Sequence, residues 1–234
     1  MNPTAIPNVL TIAGVDPSGG AGIVADIKAI SAQRAYACAV VAALTAQNTQ
    51  GVTGVLAIDP AFVARQIDTL YADVRIDALK IGMVGQAAVI EVVAARVAAQ
   101  ATAHRVLDPV MIAKSGDALL EKSAISALRD ALLPLATIIT PNLPEAGVLL
   151  EARTVETVKE MYRVAERLRE LMPHSGARRA TSLKHCATPI NFRSAPAMAR
   201  CTTFMSFGGS RQSNRHDIMR ALGGLAQPVR AAES

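Results

Sequence analysis

Five polar clusters in the sequence carry residue types that can do chemistry. The first is Gly14-Val15-Asp16-Pro17-Ser18-Gly19-Gly20-Ala21-Gly22, which lies between a short apolar run and a helical pattern. Glycines let the chain turn sharply and approach a ligand closely, because they have no Cβ. A loop that feeds a helix N-terminus also offers free N–H groups to negative charge. This loop lacks the G-x-x-x-x-G-K-[ST] of a Walker A motif and the G-x-G-x-x-G of a dinucleotide fingerprint. A tight turn into a helix accounts for its glycines equally well. The second cluster is the polar stretch Thr45 to Gly51 around Gln47, and the third is Gly82-Met83. The fourth is Asp108, followed by Pro109. The fifth is Asn142-Leu143-Pro144-Glu145, where Asn as N-cap and Glu three residues on have the spacing of a capping box.

The elements that must position these clusters alternate in type. Residues 9–13 are a β-branched apolar run of strand length, after which Ile23, Ile27 and Ile30 recur at helical spacing. Residues 36–44 read as a buried strand, with the polar stretch at its C-terminal end, and 52–58 as a further short strand. Asp59-Pro60 opens a helix, Asp as N-cap and Pro at its first position, with Phe62, Ile67 and Leu70 on its apolar side. Strands follow at 78–81, 106–107 and 136–139, and helices at 87–101, 122–133 and 155–171. In the last helix the i,i+4 pairs Glu156–Glu160 and Glu166–Glu170 are like-charged, so it is not optimised for salt bridges. This alternation predicts an α/β fold with a doubly wound, mostly parallel sheet flanked by helices. Ligands bind such sheets beyond the C-terminal strand ends, and all five clusters fall there.

Composition agrees. The 234 residues are 51% hydrophobic but only 3% aromatic, with no Trp, so the core is built from Ala, Val, Leu and Ile, as in parallel sheets covered by helices. Cys38, Cys186 and Cys201 have no metal-ligand spacing, and their odd number argues against a disulfide framework. The N-terminal MNPTAIP lacks a signal-peptide pattern, and the longest apolar stretch is too short to span a bilayer. A soluble, cytoplasmic protein is expected. The net charge of +5 is unevenly placed: residues 174–234 hold eight Arg and one Lys against Asp217 and Glu233, whereas 1–173 hold 15 basic and 17 acidic residues. Basicity belongs to the tail and says little about what the α/β body binds. No nucleic-acid partner is expected. Beyond Pro173 neither strand alternation nor sustained helical periodicity is legible, so 174–234 is expected to be a basic, poorly ordered tail.

Five segments, taken together in this order and spacing, are specific: AGVDPSGGAGIVADIK, ALTAQNTQGV, KIGMVG, LDPVMIAKSGD and ITPNLPEA. They closely resemble the bacterial hydroxymethylpyrimidine/phosphomethylpyrimidine kinases of thiamine biosynthesis, in the ribokinase-like superfamily, over roughly residues 8–172. The resemblance implies a ribokinase-like fold and transfer of phosphate from ATP, with Mg²⁺, to the hydroxymethyl and then the phosphomethyl group of a small aminopyrimidine. The positions matching the family's pyrimidine pocket are Gly14, Asp26, Thr45, Gln47, Met83 and Val110. A Gln amide suits such a ring, which presents a donor beside an acceptor; Met83 and Val110 suit its flat faces. Asp26 lies within the first helix, where an acidic residue is usually solvated surface. Asn142 and Glu145 match the superfamily's N-x-x-E, which organises Mg²⁺ through water around the phosphates, and Asp108 matches an acidic position near the phosphate path. Lys114, Ser115 and Gly116 match a mobile segment that covers the site. Relatives of this kind are often dimers, so a homodimer is expected.

The resemblance stops before the family's C-terminal half-site. The Lys-Gly-Gly-His segment and the Thr-x-Gly-Thr-Gly-Cys loop, which supplies the anion hole and the residue proposed to activate the substrate hydroxyl, are not in this sequence. Gly208-Gly209 lacks their context, as do Cys186 and Cys201, so no catalytic residue is assigned. The tail reads as divergent sequence, of the kind a change of reading frame gives. It leaves the C-terminal part of the fold incomplete or irregular and phosphoryl transfer impaired. Two other readings stand beside the pyrimidine kinase: a non-catalytic pyrimidine-binding protein, and another ribokinase-like vitamin kinase acting on pyridoxal.

Overall fold

The structure is a computed structural model and describes residues 6–111, 120–152, 158–172, 180–185 and 204–207. One sheet organises it. Its strands are β1 (Asn8–Val15), β2 (Tyr36–Gln47), β3 (Val52–Ala57), β4 (Ala78–Ile81), β5 (His104–Leu107), β6 (Ile138–Ile139), β7 (Ala180–His185) and β8 (Phe204–Phe207), in the order β3-β2-β1-β4-β5-β6-β7-β8. Every neighbouring pair is parallel except the β2–β3 hairpin. The chain winds from β1 to β2 on one side, then crosses back to β4 on the other side of β1. The order therefore reverses between β1 and β4, and this switch point is where such sheets open a crevice.

The helices are α1 (Gly22–Ala32), α2 (Pro60–Asp73), α3 (Ala87–Ala98), α4 (Lys122–Ala127), α5 (Leu143–Leu149) and α6 (Val158–Glu170). Side chains of a strand alternate between the two faces. Leu10, Ile12, Leu79, Ile81, Leu107 and Ile139 thus join the main core with Val63, Ile67, Ile90 and Val93 of α2 and α3. Val9, Ala78, Val106 and Ile138 point to the other face and pack with Ile30 of α1. All four residues of β4 are buried, as expected of a central parallel strand.

Several boundaries differ from the sequence reading. β2 runs on to Gln47, because β3 pairs with Ala43 to Gln47 and supplies that stretch with a ladder partner. Thr45 and Gln47 therefore stand on a strand rather than in a loop. Asp59 caps α2 as expected, accepting from the Phe62 N–H at 3.1 Å, but Phe62 itself is 48% exposed. The buried side of α2 is Val63, Ala64 and Ile67, one position further round the helix. The helix expected over 122–133 keeps its α geometry only to Ala127. A π turn (Leu128–Leu132) and a 3-10 turn (Leu133–Leu135) follow, ending at Pro134 and its neighbour. The strand after it shortens to Ile138–Ile139. In α6 the like-charged pairing gives way to an i,i+3 bridge, with Arg169 bonded to Glu166 at 3.0 Å. The largest difference lies beyond Pro173, where no strand was expected. β7 and β8 extend the sheet there, in parallel register with β6 and with each other. A parallel edge such as β6 presents a row of unpaired backbone groups, and pairing them needs only backbone, which periodicity in side-chain polarity does not reveal. The other residues of the basic tail lie outside the described residues.

Candidate functional site

The loop after β1 is held in shape by its own backbone and by Asp16. That carboxylate accepts from the Ser18 N–H at 2.8 Å and the Ser18 hydroxyl at 2.7 Å, and the Gly19 N–H reaches the Asp16 carbonyl at 2.9 Å. Gly19 and Gly22 have φ of 68° and 55°, the left-handed region that glycine enters without strain. The turn leads into α1, which packs against β1 and β2.

Around the switch point four of the six predicted pocket residues, Gly14, Thr45, Gln47 and Met83, come together. The Gly14 N–H donates to the Met83 carbonyl at 2.9 Å, which ties the end of β1 to the end of β4. That N–H is committed, so Gly14 serves the site by leaving space: a Cβ there would stand 2.7 Å from Met83 Cε. On the other side of β1, the Thr45 hydroxyl donates to the Val15 carbonyl at 2.8 Å and lies 3.2 Å from the Gln47 side-chain oxygen. A hydroxyl has one hydrogen, and the closer carbonyl claims it. Turning the Gln47 amide over would present its NH₂ to Thr45 and leave its oxygen facing outward. Gln47, Thr45, Val15, Gly14 and Met83 thus form a continuous rim across β2, β1 and β4. All but the buried Gly14 are half-buried, as ligand-lining groups should be.

Since Met83 Cε is the far end of a flexible side chain, Gly14→Ala is expected to cost no more than about 1–2 kcal/mol of stability. It should still displace Met83 into the crevice and weaken small-ligand binding at least about tenfold. Denaturant unfolding beside ligand titration would check this, and an unchanged affinity would remove Gly14 and Met83 from the pocket.

Asp26 departs from the expectation of a solvated helix residue. It is 6% exposed, and its Oδ2 accepts from Lys80 Nζ at 2.7 Å and from the Thr11 hydroxyl at 2.7 Å. Lys80 is equally buried and Thr11 fully so. The sequence reading missed both partners. The available signal was a lysine in the otherwise apolar four-residue strand ALKI, since a lysine is almost never buried there without a counter-charge.

The second group of predicted residues sits across β5 and β6. Asp108 ends β5, its N–H bonded to the Ile81 carbonyl at 2.8 Å, and its Oδ1 accepts from the Thr140 hydroxyl at 2.9 Å. Val110 follows it, half-buried. Asn142 and Glu145 form the capping box at the start of α5: the Glu145 N–H donates to Asn142 Oδ1 at 2.8 Å, and the Asn142 N–H to Glu145 Oε2 at 2.7 Å. The buried Glu145 carboxylate is thereby fixed at the strand-end face. These groups offer oxygen donors only, the chemistry a hard cation takes. Among the described residues no three His, Cys, Asp or Glu side chains converge, so an ion here would complete its shell with phosphate and water. Lys114, Ser115 and Gly116 lie outside the described residues. Burial raises the titration of the Cys38 thiol, which makes it an inert core residue rather than a nucleophile. Among the described residues no helix is long and apolar enough to cross a membrane.

Comparison with known proteins places this arrangement. A family model described as phosphomethylpyrimidine kinase matches residues 16–177. A hydroxymethylpyrimidine/phosphomethylpyrimidine kinase of Escherichia coli K12 is 55% identical over 154 residues, 66% of this chain and 58% of the relative. That of Salmonella typhimurium is 56% identical over the same shares. The chain thus spans less than two thirds of the length of these relatives. Among solved structures, phosphomethylpyrimidine kinase from Clostridium difficile 630 superposes with a TM-score of 0.68 at 42% identity, covering 71% of this chain and 72% of that one. The ADP complex of Bacillus subtilis pyridoxal kinase does so with 0.73 at 29% identity, covering 98% and 86%. The chain thus shares the fold of these ribokinase-like kinases, and with more than half its length matched by the family model, it belongs to the phosphomethylpyrimidine kinase family.

Proposed function

We propose that residues 1–173 form the pyrimidine-binding body of a kinase for hydroxymethylpyrimidine and its monophosphate, in thiamine biosynthesis, with ATP as phosphate donor. The observation that supports this reading is the rim Gln47–Thr45–Val15–Gly14–Met83, four of whose members, Val15 excepted, match positions expected of the family's pocket. Gln47 pairs with the ring's donor and acceptor edge, while Met83 and Val110 cover its faces. Asp26 lies beneath. The reacting hydroxymethyl group then points toward β5 and β6, where Asp108, Asn142 and Glu145 line the phosphate path. When bound with ATP, Mg²⁺ would draw charge from the transferring phosphates, and Glu145 would hold its waters. The protein acts as a cytoplasmic homodimer.

The family's anion-hole loop is not in this sequence. Loss of even one such donor costs about 100- to 1000-fold in rate. Calorimetric titration with hydroxymethylpyrimidine is therefore expected to show binding, while pyrimidine-dependent ATP turnover falls at least about a hundredfold below that of the E. coli relative. Turnover at the relative's rate would mean that the tail rebuilds the anion site. Absence of pyrimidine binding would overturn the reading. The B. subtilis neighbour, which aligns with 98% of the chain, favours pyridoxal as the second candidate. Competition between pyridoxal and hydroxymethylpyrimidine for one site decides between them.

A further inference from the structure

β3 is the last strand on its side of the sheet, and among the described residues nothing pairs with its outer edge. Its four inner residues, Thr53 to Leu56, are all exposed. Two of them are large and apolar: Val55 is 54% and Leu56 64% exposed. Leu56 stands opposite Leu44, itself 41% exposed, and Val55 opposite Thr45, so uncovered apolar side chains lie on both faces of the edge. Proteins usually guard such an edge with charge or proline. Here the 24 residues between Arg34 and Asp59 contain neither, where the chain's 18% charged content would place about four charges. The neighbouring stretch of β2 is guarded, because the Gln66 side chain of α2 takes up both the Val41 N–H and the Val41 carbonyl at 3.0 Å. The open edge on this side is thus confined to β3.

We propose, resting on the homodimer reading above, that β3 is where two copies of this chain meet, pairing antiparallel across a two-fold axis at Val55 and joining their sheets into one. The Ile58 N–H donates to the Ala42 carbonyl at 3.1 Å. Backbone groups alternate along an antiparallel ladder, so Leu56 also turns its N–H and C=O toward β2, while Val55 and Ala57 turn theirs outward. A two-fold interface sets the same patch against itself. Val55 then faces its own copy and exchanges both backbone bonds with it, and Thr53 and Ala57 face each other across the axis. Leu56 comes opposite Gly54, whose lack of a side chain leaves it room. A charge near such an axis would meet its own copy and repel it, so an edge without charge suits a second copy of this chain. The axis backs onto Thr45, and pairing there also steadies the strand that carries Thr45 and Gln47 on the rim.

The test is sedimentation of the full chain at micromolar concentration, as the native protein, as Val55→Lys, as Val55→Asp and as a mixture of the two variants. The native chain is expected to be a dimer. Each variant alone sets like charges face to face and should weaken dimerisation at least about 100-fold. Mixing them sets Lys against Asp and should restore association to within about tenfold of the native value. Only an interface whose axis passes through position 55 gives that rescue. Both substitutions fall at an exposed position, so each chain still folds. Variants that dimerise like the native chain, or a mixture that stays monomeric, overturn the proposal and leave the homodimer reading standing. A native chain that sediments as a monomer overturns both.

Discussion

Asp26→Ala is expected to destabilise the fold by about 3–5 kcal/mol, the usual consequence of leaving one member of a buried ion pair without the other. The Lys80 ammonium would then sit on β4 between Thr11, Ala13 and Gly82 with no counter-charge. It must draw water into the sheet or give up its proton, and both are costly in so closed a place. Lys80→Met should be destabilising for the converse reason. Replacing the three polar groups together, as Thr11→Val, Asp26→Leu and Lys80→Met, removes every orphaned partner. The triple variant is expected to recover most of the loss, because a buried pair contributes little net stability over well-packed apolar groups. Urea unfolding of the singles and the triple would check this. A triple variant as unstable as the sum of the singles would show that the network is required by the fold itself. Recovered stability with pyrimidine binding still lost would show that it is kept for the site.

How much of this was legible in the sequence follows from which interactions leave a pattern along the chain. Strands β1 and β4 and helix α2 were readable because apolar periodicity, Asp59-Pro60 and the glycine loop are local signals. The capping box of Asn142 and Glu145 was readable for the same reason: donor and acceptor are three residues apart. The buried state of Asp26 was not, since its partners are 15 and 54 residues away. An acidic residue on a helix carries no local sign of what the sheet brings beneath it. The extension of β2 to Gln47 was hidden likewise, because the pairing with β3 overrides the polar character of Thr45 and Gln47. β7 and β8 lay beyond reach because parallel pairing onto β6 is satisfied by backbone groups. The candidate site positions were proposed through likeness to a family, and the structure adds what the likeness does not contain: the Gly14 N–H is committed to the Met83 carbonyl, and the Thr45 hydroxyl anchors the strand end.

Gly22→Ala is expected to be the most damaging change of a single methyl group among the loop glycines, costing about 2–5 kcal/mol by adding left-handed strain to overpacking. The residue has φ of 55°, and a Cβ there would fall 2.1 Å from the Gly14 carbonyl oxygen and 3.1 Å from its carbon. Those are backbone atoms, so no rotamer relieves the contact. Either Gly22 swings out and unwinds the start of α1, or Gly14 moves and breaks its 2.9 Å bond to the Met83 carbonyl. Both routes dismantle the rim, so pyrimidine binding should be lost together with stability. Gly51→Ala is the fitting control: no heavy atom lies within 4 Å of its Cβ position, so stability should change by no more than about 0.5 kcal/mol. Thermal unfolding with and without hydroxymethylpyrimidine would measure both effects at once. A Gly22→Ala chain that melts like the native one and is still stabilised by the ligand would show that the loop adapts, and that its glycines are not what shapes the pocket.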